Sequence, residues 1–209
     1  LNKDKNIAVL IMAAGGSHRM KAIKQLLPWK GKTLLEHTIN MVKQSTVGFT
    51  VTVLGGNASS INDKIDFNAL GCDVVENAAW ANGLGCSISF GVRYILNLNM
   101  QIDGILICLA DQPLFTVDYY NKLIDEFYHG HNPIVASAYK NKAGVPAIFD
   151  RSLLKELCKL ESDFGAKNVL AKYKKDVLTL EAGNMVTDID TPEEYKSIYE
   201  QNHNKPLHD

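Results

Sequence analysis

Three separated stretches of the 209-residue chain carry side chains suited to phosphate chemistry. In the first, an apolar run from Ile7 breaks at Ala13-Ala14-Gly15-Gly16-Ser17. Arg19, Lys21, Lys24, Lys30 and Lys32 follow, with no acidic residue between Gly15 and Lys32. Small residues let backbone N–H groups approach a ligand closely, and cations favour an anion there. Arg suits bidentate oxygen contacts, whereas Lys acts as a compact point charge. A nucleoside triphosphate is the expected ligand. The second stretch ends the apolar run Gly104–Ala110 at Asp111, before Gln112-Pro113. The third is Asp188-Ile189-Asp190, ahead of a helix cap at Thr191. Two such carboxylates suit Mg²⁺, a hard ion that takes oxygen ligands and shares its shell with phosphates and water. Each stretch also has a plainer reading: a tight turn, a solvated basic face, or turn and cap carboxylates. Position at the ends of apolar runs favours chemistry, and spacing before the helix favours Asp190 over Asp188.

Other patterns fail on spacing. Gly31-Lys32-Thr33 is no phosphate-binding P-loop, because Leu26 stands where that motif needs glycine. Gly83-x-Gly85 fails the dinucleotide fingerprint at Ile88. Cys72, Cys86, Cys108 and Cys158 are too scattered for zinc or a disulfide framework, and His129-x-His131 lacks a third ligand. His18 and His37 read as a solvent-facing residue and a residue without ligand spacing. Trp29 and Trp80 read as core or rim aromatics rather than base-stacking platforms. No serine or cysteine has an evident base partner, so no covalent enzyme intermediate is expected.

These stretches must be positioned by a fold. Composition is ordinary for a globular protein, at 46% apolar and 22% charged. The net charge of −1 leaves no global basic field for nucleic acid. No run reaches the roughly 18 apolar residues of a membrane helix, and no signal peptide is visible, so the cytoplasm is the expected compartment. Leu1 in place of methionine suggests a missing or processed start. One α/β domain is expected over residues 1–200, with a polar, frayed tail from Gln201.

Ile7–Met12 reads as a strand buried on both faces, since its apolar run does not alternate. Further strands are expected at Phe49–Leu54, Cys72–Val75, Gly104–Ala110, Pro133–Ser137, Val145–Phe149 and Val177–Leu180. A capping box at Thr33 predicts a helix through Leu34, Leu35, Ile39 and Val42. Others are expected from Ser60 (Ile61, Ile65, Leu70), from Ser87 after a turn at Asn82–Gly85, and from Thr116 (Tyr120, Leu123, Ile124, Phe127). Ser152–Leu160 and Gly165–Tyr173 read as short helices, and Thr191 caps a last one with Pro192 at its first position. Alternating strands and helices predict a mostly parallel sheet covered on both faces. Ligands of such sheets sit at the carboxyl ends of strands, near a switch in strand order.

MAAGGSHRM, Lys24, LLPWKGKTLLEH, NAAWANGLGCSISFGV, LADQP, Gly144-Val145-Pro146-Ala147-Ile148-Phe149, SDFGAK and DIDTPEEY occur in that order. The set resembles the MobA-like nucleotidyltransferases, closest to their molybdenum cofactor cytidylyltransferase branch. It spans nearly the whole chain; each piece is weak alone, and the ordered set is specific. The resemblance implies an α/β, Rossmann-like, three-layer nucleotide-diphospho-sugar transferase fold with a mixed sheet. It implies an NTP over Ala13, Ala14, Gly15, Gly16 and Ser17, with Arg19 and Lys24 at the triphosphate and Gly83 and Ser87 near the nucleoside. Mg²⁺ is implied on Asp111 and Asp190, and Arg19, Lys24 and Asp111 carry catalysis. Ala14 stands where guanylyl-transferring relatives carry glycine, which favours CTP over GTP. The implied reaction transfers CMP to a phosphomonoester, molybdopterin or its molybdenum-loaded form, and releases pyrophosphate. A molybdoenzyme or its chaperone is a further implied partner. The competing readings are a guanylyltransferase or a sugar- or methylerythritol-phosphate nucleotidyltransferase of the same fold, and a non-catalytic molybdoenzyme accessory protein. Three residues depart from the family pattern: Lys21 and Ser162 replace glycines, and Val145 replaces a histidine. The first lies beside the triphosphate loop, the other two where the acceptor is expected.

Overall fold

A computed structural model describes residues 6–139, 142–161 and 163–203; the departure at Ser162 lies outside the described residues. Ile7–Ala13 (β1) is seven buried apolar residues. Ile7, Val9, Ile11 and Ala13 face one core, while Ala8, Leu10 and Met12 face the other. Both faces are covered, which is why the run does not alternate. Pro28–Trp29 (β2) and Lys32–Thr33 (β3) form a small antiparallel ribbon. It leads into Leu34–Lys43 (α1), whose Thr33 and Glu36 complete the expected capping box. Thr50–Leu54 (β4), Ala58–Asn62 (α2), Asp73–Glu76 (β5) and Leu84–Asn97 (α3) follow, then Gly104–Leu109 (β6) and Val117–His129 (α4). The chain continues through Ile134–Tyr139 (β7), Lys142–Asp150 (β8), Leu154–Leu157 (α5), Lys167–Lys172 (α6), Val177–Glu181 (β9) and Pro192–His203 (α7).

The seven long strands form one sheet in the order β5-β4-β1-β6-β8-β7-β9. All pairs are parallel except those of β8, which runs antiparallel to β6 and β7. Residues of α1, α2 and α4 pack on one face, and residues of α3, α5 and α6 on the other. The result is the three-layer, mostly parallel mixed sheet that the sequence predicts. A third cluster, Met20, Trp29, Leu34, Ile189, Tyr195 and Ile198, joins α7 to the segment after β1. Among the described residues no helix is long and apolar enough to cross a membrane.

Three local expectations are corrected. The helix expected from Ser60 starts at Ala58 and lasts five residues. Asp66 then accepts from the Ala69 N–H at 3.0 Å, a local bond that competes with further helix. α3 starts at Leu84 rather than Ser87: Gly83 lies at φ 108°, so the chain enters the helix abruptly and Leu84-Gly85-Cys86 forms its first turn. α7 runs through Gln201 to His203. There the His203 ring stacks on Tyr199 with centroids 3.8 Å apart and accepts from the Lys30 N–H at 3.0 Å.

Candidate active site

From β1 the chain steps outward to β4 and β5, then returns to β6 on the other side of β1. The strand order therefore switches between β1 and β6, and sheets of this kind hold ligands beyond the carboxyl ends of such strands. Those ends are Ala13–Ser17 and Ala110–Gln112. A cavity of about 490 Å³ opens there. Ala13, Ala14, Gly15, Lys24, Gly83, Ser87 and Asp111 line it, with His18, Gln25, Trp80 and Asp163. Gly16, Ser17, Arg19 and Asp190 stand behind or beside this wall. Gly16 lies under the His18 and Trp80 rings, so close that a Cβ there would come within 3.0 Å of both.

Gln25 holds the glycine loop. It is 3% exposed, and its Nε2 donates to the carbonyls of Ala13 at 2.8 Å and Gly15 at 3.1 Å. Its Oε1 accepts from Ser17 Oγ at 3.1 Å, and that hydroxyl in turn accepts from the Lys24 N–H at 3.2 Å. The Ser17 hydroxyl thus faces the protein, and both loop carbonyls are committed to Gln25. Ser17 and Lys21 sit at φ 56° and 57°, in the left-handed region. The family glycine that Lys21 replaces therefore has a backbone reason: a side chain there costs about 1–2 kcal/mol.

The basic and acidic stretches meet at Lys24. Its ammonium donates to Asp111 Oδ2 in a short bond and to Asp190 Oδ1 at 3.1 Å. Arg19, 71% exposed, pairs with the other Asp190 oxygen at 2.9 Å. Burial pulls the Lys24 ammonium down, but the Asp111 and Asp190 carboxylates outweigh it and hold it above its usual range. Asp190 reaches this point because Ile189, fully buried in the third cluster, donates its N–H to the Asp111 carbonyl at 3.0 Å. Glu194, at the start of α7, then accepts from the N–H groups of Asp190 and Thr191 at 3.0 and 2.9 Å.

This donor set fits a hard divalent cation. Asp111 Oδ1 is buried without a hydrogen-bond partner, and Asp190 lies one ammonium away. Among the described residues no three His, Cys, Asp or Glu side chains form a closed metal cage. An ion here would share its shell with ligands from outside the chain, as Mg²⁺ and Mn²⁺ do with phosphates and water.

The opposite wall is the start of α3. A Cβ on Gly83 would come within 2.9 Å of Asp163 backbone and side-chain atoms, so glycine is needed for contact as well as for its φ. Ser87 is 1% exposed, and its Oγ accepts from Asn77 Nδ2 at 3.0 Å. Asn77 also accepts from the Ala79 N–H at 3.0 Å, which tightens the turn leading to Trp80. Trp80 lies against Gly55 and Gly56, where added Cβ atoms would come within 2.6 and 2.8 Å of its side chain. Trp80 thus stands on the wall of the first cavity, whereas Trp29, at 0% exposure, is core.

A second cavity, about 540 Å³, shares Leu84 and Leu109 with the first. Val145, Phe164, Tyr139, Lys142, Lys167 and Asp188 are among its walls. Gln112, 2% exposed, donates its Nε2 to Asp188 Oδ1 at 2.7 Å and to the Tyr139 hydroxyl. Burial, then the nearby Asp111 carboxylate, pushes the Asp188 carboxyl above its ordinary range. Asp188 and Asp190, two residues apart, thus serve different cavities.

The comparisons with known proteins agree with this architecture. The chain belongs to the MobA-like NTP transferase domain family, whose model matches residues 9–177. Purine catabolism protein PucB of Bacillus subtilis is 29% identical over 202 residues, covering 90% of this chain and 94% of PucB. Nicotine blue oxidoreductase of Paenarthrobacter nicotinovorans is 26% identical, with coverage of 89% and 92%. Molybdenum cofactor cytidylyltransferase of Escherichia coli is 22% identical, with coverage of 93% and 96%. Among solved structures, the manganese complex of Rv0371c from Mycobacterium tuberculosis is 26% identical with a TM-score of 0.77, covering 93% of this chain and 98% of that one.

Sequence reasoning missed Gln25, Asn77, Tyr139 and Gln112 as site residues. Gln25 follows Lys24 directly, and Gln112 belongs to the LADQP segment. Their adjacency to charged candidates is a signal, but an uncharged side chain reveals its role only once its partners are known.

Proposed function

We propose that the protein transfers a nucleoside monophosphate, CMP from CTP by preference, to the phosphomonoester of a molybdopterin-type acceptor and releases pyrophosphate. The observation that carries the reading is the pair of adjoining cavities at the β1/β6 switch point. One is walled by the glycine loop, Lys24, Asp111 and Ser87; the other is largely apolar and meets it at Leu84 and Leu109. The triphosphate lies over Ala13–Ser17 with Lys24 and Arg19 at its oxygens, and the nucleoside lies toward Gly83 and Ser87. Ala14 supports CTP over GTP, because guanylyl-transferring relatives carry glycine there.

The acceptor phosphate attacks the α-phosphorus, a P–O bond forms, and the bond to pyrophosphate breaks. Positioning and charge neutralisation do most of such work. Lys24 leaves Asp111 and Asp190 for the phosphates and stabilises charge on the reacting centre and the leaving group. Arg19, freed from Asp190, takes the outer phosphate oxygens as a fork. A divalent ion on Asp111 and Asp190, magnesium in our reading, would offset repulsion between the two anions; the manganese complex of the Rv0371c relative supports a divalent ion.

Pyrophosphate release is the test, measured with CTP, GTP, UTP and ATP, with and without Mg²⁺ and molybdopterin. CTP is expected to turn over fastest, and only with metal and acceptor. No release from any nucleotide with authentic molybdopterin would sink the reading in favour of an accessory binding role.

A further inference from the structure

The second cavity places a carboxylate on a largely apolar wall, an expensive arrangement unless a ligand or neighbour satisfies it. Gln112 satisfies half. Its Nε2 holds Asp188 Oδ1 at 2.7 Å, while Oδ2 takes no hydrogen bond among the described residues. Gln112 cannot turn freely, because the same nitrogen also holds the Tyr139 hydroxyl and the side chain is buried. The carboxylate is therefore aimed before any ligand arrives. Leu84 and Leu109 place its cavity against the phosphate site, Phe164 adds an exposed aromatic ring at its wall, and Lys142, Lys167 and Lys174 give the lining positive charge.

We infer that Asp188, positioned by Gln112, reads the acceptor by accepting adjacent N–H groups from the edge of a planar, anionic heterocycle lodged in the second cavity. The inference rests on the acceptor reading given above and adds which edge of the acceptor is read. A carboxylate matches two parallel N–H donors in a fork. The ring N–H and exocyclic amino group of a pterin form such a pair. A carbonyl in place of the amino group would set oxygen against oxygen, and a site built to hydrogen-bond a donor strongly rejects an analogue that lacks it. Asp190 is unavailable for this role, since it faces Lys24 and Arg19 beside the first cavity, where the proposed function gives it to the divalent ion. Gln112 is a positioning residue, acting through Asp188.

The test is fluorescence titration of the full chain with pterin-6-methyl phosphate and with its lumazine counterpart, in which an oxygen replaces the 2-amino group. The wild type is expected to prefer the pterin by about tenfold or more. Asp188→Asn is expected to lose that preference, with Mg²⁺–CTP binding and the thermal midpoint showing that the fold and first cavity persist. Gln112→Leu is expected to weaken pterin binding less, and Asp188→Ser serves if the asparagine variant folds poorly. Equal pterin binding by wild type and Asp188→Asn overturns the assignment while leaving the pterin reading intact. Failure of the wild type to bind either pteridine, with the nucleoside monophosphate transferred to another phosphomonoester and pyrophosphate released, overturns both.

Discussion

The two cavities differ in how their polar groups are held. In the first, the groups come from the ends of buried parallel strands and are tied down by partners from other segments of the chain. Gln25 holds the loop carbonyls, Ile189 delivers Asp190, and His37 on α1 meets the Pro113 carbonyl at 3.1 Å beside Asp111. The second cavity is walled by the β7–β8 pair and the short helix α6, with a largely apolar surface and one aimed carboxylate. The rigid half suits chemistry that needs fixed charge. The apolar half suits selection, where a few polar groups on an apolar wall decide which ligand fits.

The largest expected effect breaks the first half alone. Lys24→Met and Asp111→Asn should each lower turnover by about 10²–10³-fold or more while the fold persists, as read by pyrophosphate release and thermal melting. Near-wild-type turnover in either variant would remove that residue from the chemistry. A milder break is Gln25→Leu, which leaves the Ala13 and Gly15 carbonyls without their donor. Two bonds worth about 1 kcal/mol each imply an NTP KM raised about tenfold or more, with the acceptor KM unchanged. Equal rises in both constants would show that Gln25 supports the whole fold rather than the glycine loop.

Acid should move the two halves in opposite directions. Burial lowers His37 below its usual 6.5, so its contribution to stability is present above that pH and is lost as pH falls through the lower native value. His37→Gln should therefore flatten the loss of stability between about pH 7 and pH 5. Asp188 is raised above its usual 3.8, so its contribution is full below that pH and is lost as pH rises through the higher native value. Asp188→Asn should thus melt higher than wild type at neutral pH and alike near about pH 3.5. Parallel pH profiles for the wild type and both variants would contradict the contrast. The smallest effect concerns Lys21 at φ 57°. Lys21→Gly should stabilise the chain by about 0.5–1 kcal/mol in urea melts, the left-handed strain relieved exceeding the entropy glycine adds to the unfolded state. A loss of stability would mean that the Lys21 side chain makes a compensating contact.

Much of this fold is legible in the sequence because strong local signals agree with tertiary packing. β1 and β6 are unbroken apolar runs between covered faces, and the caps at Thr33, Thr116 and Thr191 form as their side chains dictate. The misplacements fall where a local device competes with periodicity. Asp66 diverts the chain after α2, and Gly83 starts α3 a turn early. The site is legible in its charged residues and hidden in its neutral ones: Gln25, Asn77 and Gln112 carry no signature until their partners are in place.

From sequence alone come the strand-end loops, the cations after Ser17, Asp111 and the Asp188/Asp190 pair, because apolar runs, small residues and charges are local properties. Tertiary structure decides the rest, because a side chain's partner is set by strand order and register. It places the Lys24 ammonium between Asp111 and Asp190, 87 and 166 residues away. It also gives Asp188 to Gln112 and the second cavity, although the sequence offers Asp188 and Asp190 as near equivalents. Ile189, buried between them, sends the two carboxylates to different cavities.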